Sequence, residues 1–209
     1  MITLKVTKLT KSFGDNTVFS EISFAHEGKT LGIAGSNGSG KSTFLKSLSG
    51  LLQPSKGTIN WYNSGDEIPI PHFKKMLGYA APYINLYNEL SCRENLSFLV
   101  DVRHQKTDEK ELNYWIDKVE LTHVADQPFG KLSTGQQQRL RLASALFHDP
   151  KILMLDEPGS NLDEAGRTLI HNIAESFQSP EKMLIIASNS PEELQLCENI
   201  FSIEQEAFE

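Results

Sequence analysis

Cysteine is scarce: Cys92 and Cys197 are the only two in 209 residues. They lie far apart and in no metal-ligand spacing, which excludes a disulfide-stapled scaffold and reads both as reduced packing residues. Long apolar runs are also missing. Stretches such as Ile152-Leu153-Met154-Leu155 and Leu184-Ile185-Ile186-Ala187 are strand-length, far below the ~20 residues of a membrane-spanning helix. Positive charge is in deficit, with a formal net charge of −7. Nucleic acid is therefore not an expected partner, and any membrane contact has to run through a local patch or another protein. His26, His72, His104, His123, His148 and His171 show no zinc-type spacing and are read as solvated or core residues. No internal repeat, low-complexity segment or long linker breaks the chain. Met1-Ile2-Thr3-Leu4-Lys5 lacks the features of a signal peptide, so the expected location is the cytosol.

What is present is a chain of 39% hydrophobic residues, enough to bury a substantial core. Short β-like runs at 2–9, 19–24, 31–34 and 58–62 alternate with turns, giving a strand-rich start. From about 91 to 146 the apolar spacing turns helical, with Leu96, Leu99 and Val100 on one face and Leu112, Trp115, Ile116 and Val119 on another. This stretch reads as a helical lobe. Two buried-type strands, 152–155 and 183–187, then flank a helix over 164–177, the pattern of a βαβ crossover in a parallel sheet.

The most specific feature is Gly35-Ser36-Asn37-Gly38-Ser39-Gly40-Lys41-Ser42-Thr43, which follows the apolar run Leu31-Gly32-Ile33-Ala34. Glycines let the backbone curl so that several N–H groups face one anion. Lys41 supplies a charge for the β- and γ-phosphates, and Ser42 a hydroxyl for Mg²⁺. A helix from Thr43 to about Ser49 aims its positive end at the same place. The chain therefore holds a nucleoside triphosphate.

Two further motifs follow. Leu132-Ser133-Thr134-Gly135-Gln136 opens a helix; taken alone it is an ordinary start, with Ser133 as N-cap and Gln136 closing a capping box. Lys151-Ile152-Leu153-Met154-Leu155-Asp156-Glu157-Pro158 is an apolar strand that ends in two acids, which an α/β sheet places beside the phosphate loop. The three motifs in this order closely resemble the nucleotide-binding subunits of ATP-binding cassette transporters, from about residue 3 to 203.

That resemblance implies an α/β P-loop NTPase fold with a RecA-like mixed-sheet core lobe (about 1–80 and 150–209) and an α-helical signature lobe (about 90–148), all one domain over 1–209. It implies ATP and Mg²⁺ as ligands and a head-to-tail pair of cassettes sandwiching two ATPs. Phe13 matches the aromatic that stacks on adenine, and Val18 is counted with Gly35 to Thr43 as nucleotide-binding. Asp156 would hold the magnesium shell with Ser42, and Glu157 would be the catalytic general base. Ser133, Thr134, Gly135 and Gln136 would act in trans on the other protomer's ATP. Asp163 falls in the loop along the dimer seam, and equally suits the N-cap of the next helix.

Two positions depart from the family pattern. Pro82 stands where a Gln is usual, and Asn85 or Asn88 could substitute only if the loop bends differently. Asn189 stands at the switch-histidine position, where an amide can donate a hydrogen bond but cannot carry charge. The expectation is a slow but live ATPase. Trp61, Tyr62, Phe73, Tyr79, Tyr83 and Tyr87 cluster around Pro82; they read as packing at the lobe junction, and Tyr83 to Tyr87 as part of a groove for a permease helix. The charged run 103–111 reads as a solvated turn. The expected function is the energy-coupling subunit of a separately encoded integral membrane permease, peripheral on the cytoplasmic face, as a homodimer or heterodimer. In size the chain matches small export-type subunits, among them the haem-exporter type. The competing readings are a soluble assembly or maturation ATPase and a slow regulatory ATP-binding module.

Overall fold

The computed structural model describes residues 1–103 and 108–208, so part of the charged run, residues 104–107, lies outside the described residues. In chain order the elements are β1 (Ile2–Phe13), β2 (Asn16–Glu27), β3 (Thr30–Ala34), α1 (Lys41–Leu48), β4 (Lys56–Asn63), β5 (Asp66–Glu67), α2 (Ile70–Met76) and β6 (Leu77–Ala80). Helices α3 (Cys92–Val102), α4 (Glu109–Lys118) and α5 (Thr134–Leu146) come next. The chain then forms β7 (Ile152–Asp156), α6 (Glu164–Ser176), β8 (Met183–Ser188), α7 (Pro191–Leu194), β9 (Asn199–Ser202) and β10 (Ala207–Phe208).

Two sheets result. The antiparallel one has the order β2-β1-β4-β5; the other has the order β10-β9-β3-β8-β7-β6 and is parallel except at its β10 edge. Strands β3, β7 and β8 are buried along their whole length. Their unbroken apolar sequences follow from that, because both faces of this sheet are covered. Along β7, Ile152 and Met154 enter a core shared with β1, β4 and α1. Leu153 and Leu155 enter a second core formed with α5, α6 and the helical segment. The pairing of β7 with β8 across α6 is the βαβ unit expected from the sequence.

Leu96, Leu112, Ile116 and Leu140 pack into one cluster that runs on through Leu153, Leu169, Leu184 and Ile186. The helical segment and the parallel sheet thus share a single apolar core. At their seam, a Cβ on Gly78 of β6 would lie 2.1 Å from the Ala145 carbonyl oxygen of α5; only glycine lets this helix lie so close to the strand. Both cysteines are free, and burial pushes the thiols up to about 11 at Cys92 and about 12 at Cys197. Strand β1 continues past the expected end at Leu9 to Phe13, because irregularities in its pairing between Val6 and Ser12 scramble the alternation that marks a strand. Among the described residues, no helix is long and apolar enough to cross a membrane.

Candidate nucleotide site

Strand β3 ends buried at Ala34, and residues 35–40 turn the chain into α1. Gly40, at the N-cap, has φ 102°, and a Cβ there would meet Val18 Cγ1 at 2.6 Å. Among the described residues no side chain caps α1, and its first turn holds no acid, so its leading N–H groups are open to an anion. Lys41 is buried; its ammonium donates to the carbonyls of Gly35 (2.8 Å) and Ser36 (3.0 Å) and lies 3.2 Å from Glu157 Oε1.

The acids arrive from the neighbouring strand. Asp156 closes β7 and is fully buried, with Oδ1 making no hydrogen bond among the described residues. Glu157 follows with φ 46°, a left-handed conformation that a non-glycine residue holds only under constraint. Its N–H bonds the Ala187 carbonyl at the end of β8 (2.8 Å). Asn189 reaches across from the same end of β8, its amide donating to Asn37 Oδ1 (2.9 Å).

Lys41, Glu157 and Asn189 border a cleft of about 980 Å³, lined also by Val18, Asn37, Gly38, Gly40, Ser42 and Thr43 and extending past them to Arg167, His171 and Glu193; Asp156 is buried and is not part of its lining. Within the loop, Ser36 turns its hydroxyl to Glu204 (2.5 Å). Ser39 faces inward beside Gly35, its hydroxyl buried and without a partner. Phe13 does not line the cleft: it is 53% exposed at the end of β1, with the Lys11 ammonium 4.7 Å over its ring. The donors suit a divalent cation: the Ser42 hydroxyl lines the cleft, and Asp156, which has a carboxylate oxygen without a partner among the described residues, immediately precedes the cleft-lining Glu157. Among the described residues there is no cluster of three or more His, Cys, Asp or Glu side chains suited to holding a metal.

A second cleft, of about 450 Å³, surrounds Ser133, Thr134, Gly135 and Gln136. Ser133 and Gln136 form the capping box at the head of α5. Arg139, on the same helix, bonds Glu120 (2.6 Å) and Asp163 (2.8 Å). Asp163 also caps α6, accepting from the Gly166 N–H (2.9 Å), and these bonds hold its carboxyl below the usual range. Deeper in, Gln138 donates to the Pro158 carbonyl (3.1 Å). The segment 157–163 is thus shared: Glu157, Gly159 and Ser160 line the first cleft, Asn161 and Asp163 the second.

Two contacts beside the site, those of Tyr83 and Glu193, are not readable from the sequence. Tyr83, one residue past Pro82, donates its hydroxyl to Asp156 Oδ2 (2.8 Å) and bonds the Tyr79 hydroxyl. Burial is the largest cause that pushes both phenols far above their ordinary value; at Tyr83 the bond to Tyr79 and the nearby Asp156 add to it, whereas at Tyr79 the bond to Tyr83 works against it, and both stay protonated. Asn85 and Asn88 are exposed, and Asn88 packs at Gly130. The expected aromatic cluster is divided. Trp61 stacks on Phe73 inside the core, Tyr83 is 41% exposed while its hydroxyl reaches Asp156, and Tyr87 meets Phe98 on the surface. Glu193, from the short helix α7, accepts from the Gly159 N–H (2.8 Å); burial chiefly, with Glu157 nearby, raises its pKa.

Residues 20–160 match the family model described as ABC transporter. The chain is 33% identical over 198 residues to the uncharacterized ABC transporter ATP-binding protein YybJ of Bacillus subtilis, covering 93% of this chain and 89% of that protein. It is 34% identical over 213 residues to the Nod factor export ATP-binding protein I of Sinorhizobium fredii, covering 97% of this chain but 60% of that longer protein. Among solved structures, the dimeric post-hydrolysis state of the ATP-binding cassette MJ0796 bound to ADP and Pi superposes with a TM-score of 0.82 at 23% identity, over 96% of this chain and 94% of that one. The fold is that of an ATP-binding cassette, and the chain belongs to the family of ABC transporter ATP-binding proteins.

Proposed function

We propose that this chain binds and hydrolyses ATP to drive a separately encoded membrane permease, through closure of two cassettes. The observation that carries this reading is a pair of half-sites on one chain. Phosphate-loop residues and Glu157 line one cleft, the head of the signature helix lines another, and residues 157–163 join them. Each half supplies what the other lacks, so a second cassette, identical or different, completes both when turned head to tail.

The chemistry follows from the contacts. Triphosphate oxygens entering at α1 compete with the Gly35 and Ser36 carbonyls for the Lys41 ammonium. As Lys41 moves to the phosphates it leaves Glu157, whose carboxylate is then free to take a proton from the attacking water. The water oxygen bonds the γ-phosphorus, the bond to the bridging oxygen breaks, and ADP leaves with that electron pair. Ser42 and Asp156 would hold Mg²⁺, which when bound neutralises charge on the β- and γ-phosphates. Asn189 offers the γ-phosphate an uncharged amide donor, which lacks the Coulombic attraction that a protonated histidine would add, so turnover is slow. Tyr87 and Phe98, edge to face at 4.9 Å and both exposed, supply an apolar rim for the permease at the cytoplasmic face.

Purifying the Glu157→Gln chain from gently solubilised membranes tests the proposal. A stoichiometric integral membrane partner is expected. Recovery only from the soluble fraction, alone or with a soluble partner, would replace it with a soluble assembly ATPase or a regulatory module.

A further inference from the structure

We propose that Tyr83 is a positioning residue for Asp156, fixing the carboxylate so that one oxygen stays unpaired for the cation that accompanies the nucleotide; this rests on reading the cleft as a site for ATP with Mg²⁺. A carboxylate at the end of a strand can rotate about its last bond, and only an asymmetric contact decides which oxygen faces the ligand. Here the contact is asymmetric: Oδ2 accepts the Tyr83 hydroxyl at 2.8 Å, while buried Oδ1 has no partner. Tyr83 is itself held from two other elements. Its hydroxyl bonds Tyr79, which sits on β6 opposite Met154 of β7. Its ring carries the Lys46 ammonium at 3.7 Å, from the helix that begins at the phosphate loop. The turn that presents it is short, the Ile84 N–H bonding the Ala81 carbonyl (3.0 Å) around Pro82. A proline without a side-chain donor is therefore followed by a phenol that bonds the metal-holding acid.

Outer partners that orient a metal ligand typically change metal affinity 10–100-fold when removed. The test uses the full-length chain as wild type, Tyr83→Phe and Tyr79→Phe. Mn²⁺ binding to the ADP-loaded protein is followed by electron paramagnetic resonance, and ADP affinity is measured separately in EDTA. Tyr83→Phe keeps the ring and is expected to bind ADP in EDTA as wild type does, with Mn²⁺ about tenfold weaker. Tyr79→Phe, which leaves the bond to Asp156 in place, is expected to stay within about twofold of wild type for Mn²⁺. Unchanged or tighter Mn²⁺ binding in Tyr83→Phe would overturn the inference alone, as would equal weakening in both variants, since packing of the pair would then explain it. A wild-type protein with no ADP-dependent Mn²⁺ binding would overturn the nucleotide reading as well.

Discussion

At the residue scale the site is poised around competing partners for a few charges. Lys41 is already engaged by two carbonyls and Glu157, so the loop holds its shape before any phosphate arrives. In the proposed mechanism, Glu157→Gln removes the proton acceptor but not the loop amides that would bind phosphate. Single-turnover hydrolysis should fall by a factor of about 100 or more while ATP affinity is kept; an unchanged rate would remove Glu157 from the mechanism. Asn189→His restores a side chain that can carry charge at the γ-phosphate, and the same assay should show a faster rate. No rise would sink the account of Asn189. The phosphate loop and Asp156-Glu157 were legible in the sequence because each motif is contiguous and carries its own spacing. Tyr83 was not: it meets Asp156 across 73 residues of chain, and only the parallel pairing of β6 with β7 brings them together. Glu193 was hidden for the same reason, since its partner Gly159 belongs to another loop.

At the element scale the junction of α5 with β6 decides how the helical segment is carried. Gly78→Ala forces a Cβ onto the Ala145 backbone, which cannot rotate away as a side chain could. A loss on the order of 2 kcal/mol or more is expected from urea unfolding; a neutral substitution would mean that the helix is free to shift. His148, just past α5, lies at the same seam, its Nε2 3.0 Å from the Leu77 carbonyl. Burial, aided by Arg103, lowers its pKa from 6.5 to about 4. The unfolded chain therefore binds a proton at a higher pH than the folded one does. The contribution of neutral His148 is complete above pH 6.5 and is lost as pH falls toward 4. Stability should drop by about 3 kcal/mol across that window, and His148→Gln should flatten this part of the profile. Helix and strand types were readable from apolar spacing, but the seam was not, because a single glycine says nothing about which helix approaches it. The bulged end of β1 was lost too, its alternation broken where the pairing shifts.

At the scale of the whole molecule, one apolar core runs from the helical segment into the parallel sheet, while the two clefts share the loop 157–163. Arg139 ties the signature helix to that loop through Asp163, and Gln138 ties it through Pro158. Whatever fills the first cleft is thus mechanically close to the surface proposed to meet a second cassette. A chain of net charge −7 gains little from bringing two copies together without a ligand to bridge them. The order of motifs made this architecture legible, whereas the bonds that couple the clefts needed the fold. The most direct test is the mass in solution of the Glu157→Gln chain, by light scattering, with and without ATP and Mg²⁺. The account predicts a monomer that becomes a dimer with ATP, and a Ser133→Arg version that binds ATP yet stays monomeric. A chain that binds ATP at saturation and remains monomeric with Ser133 intact would contradict the claim that two copies complete each other's sites.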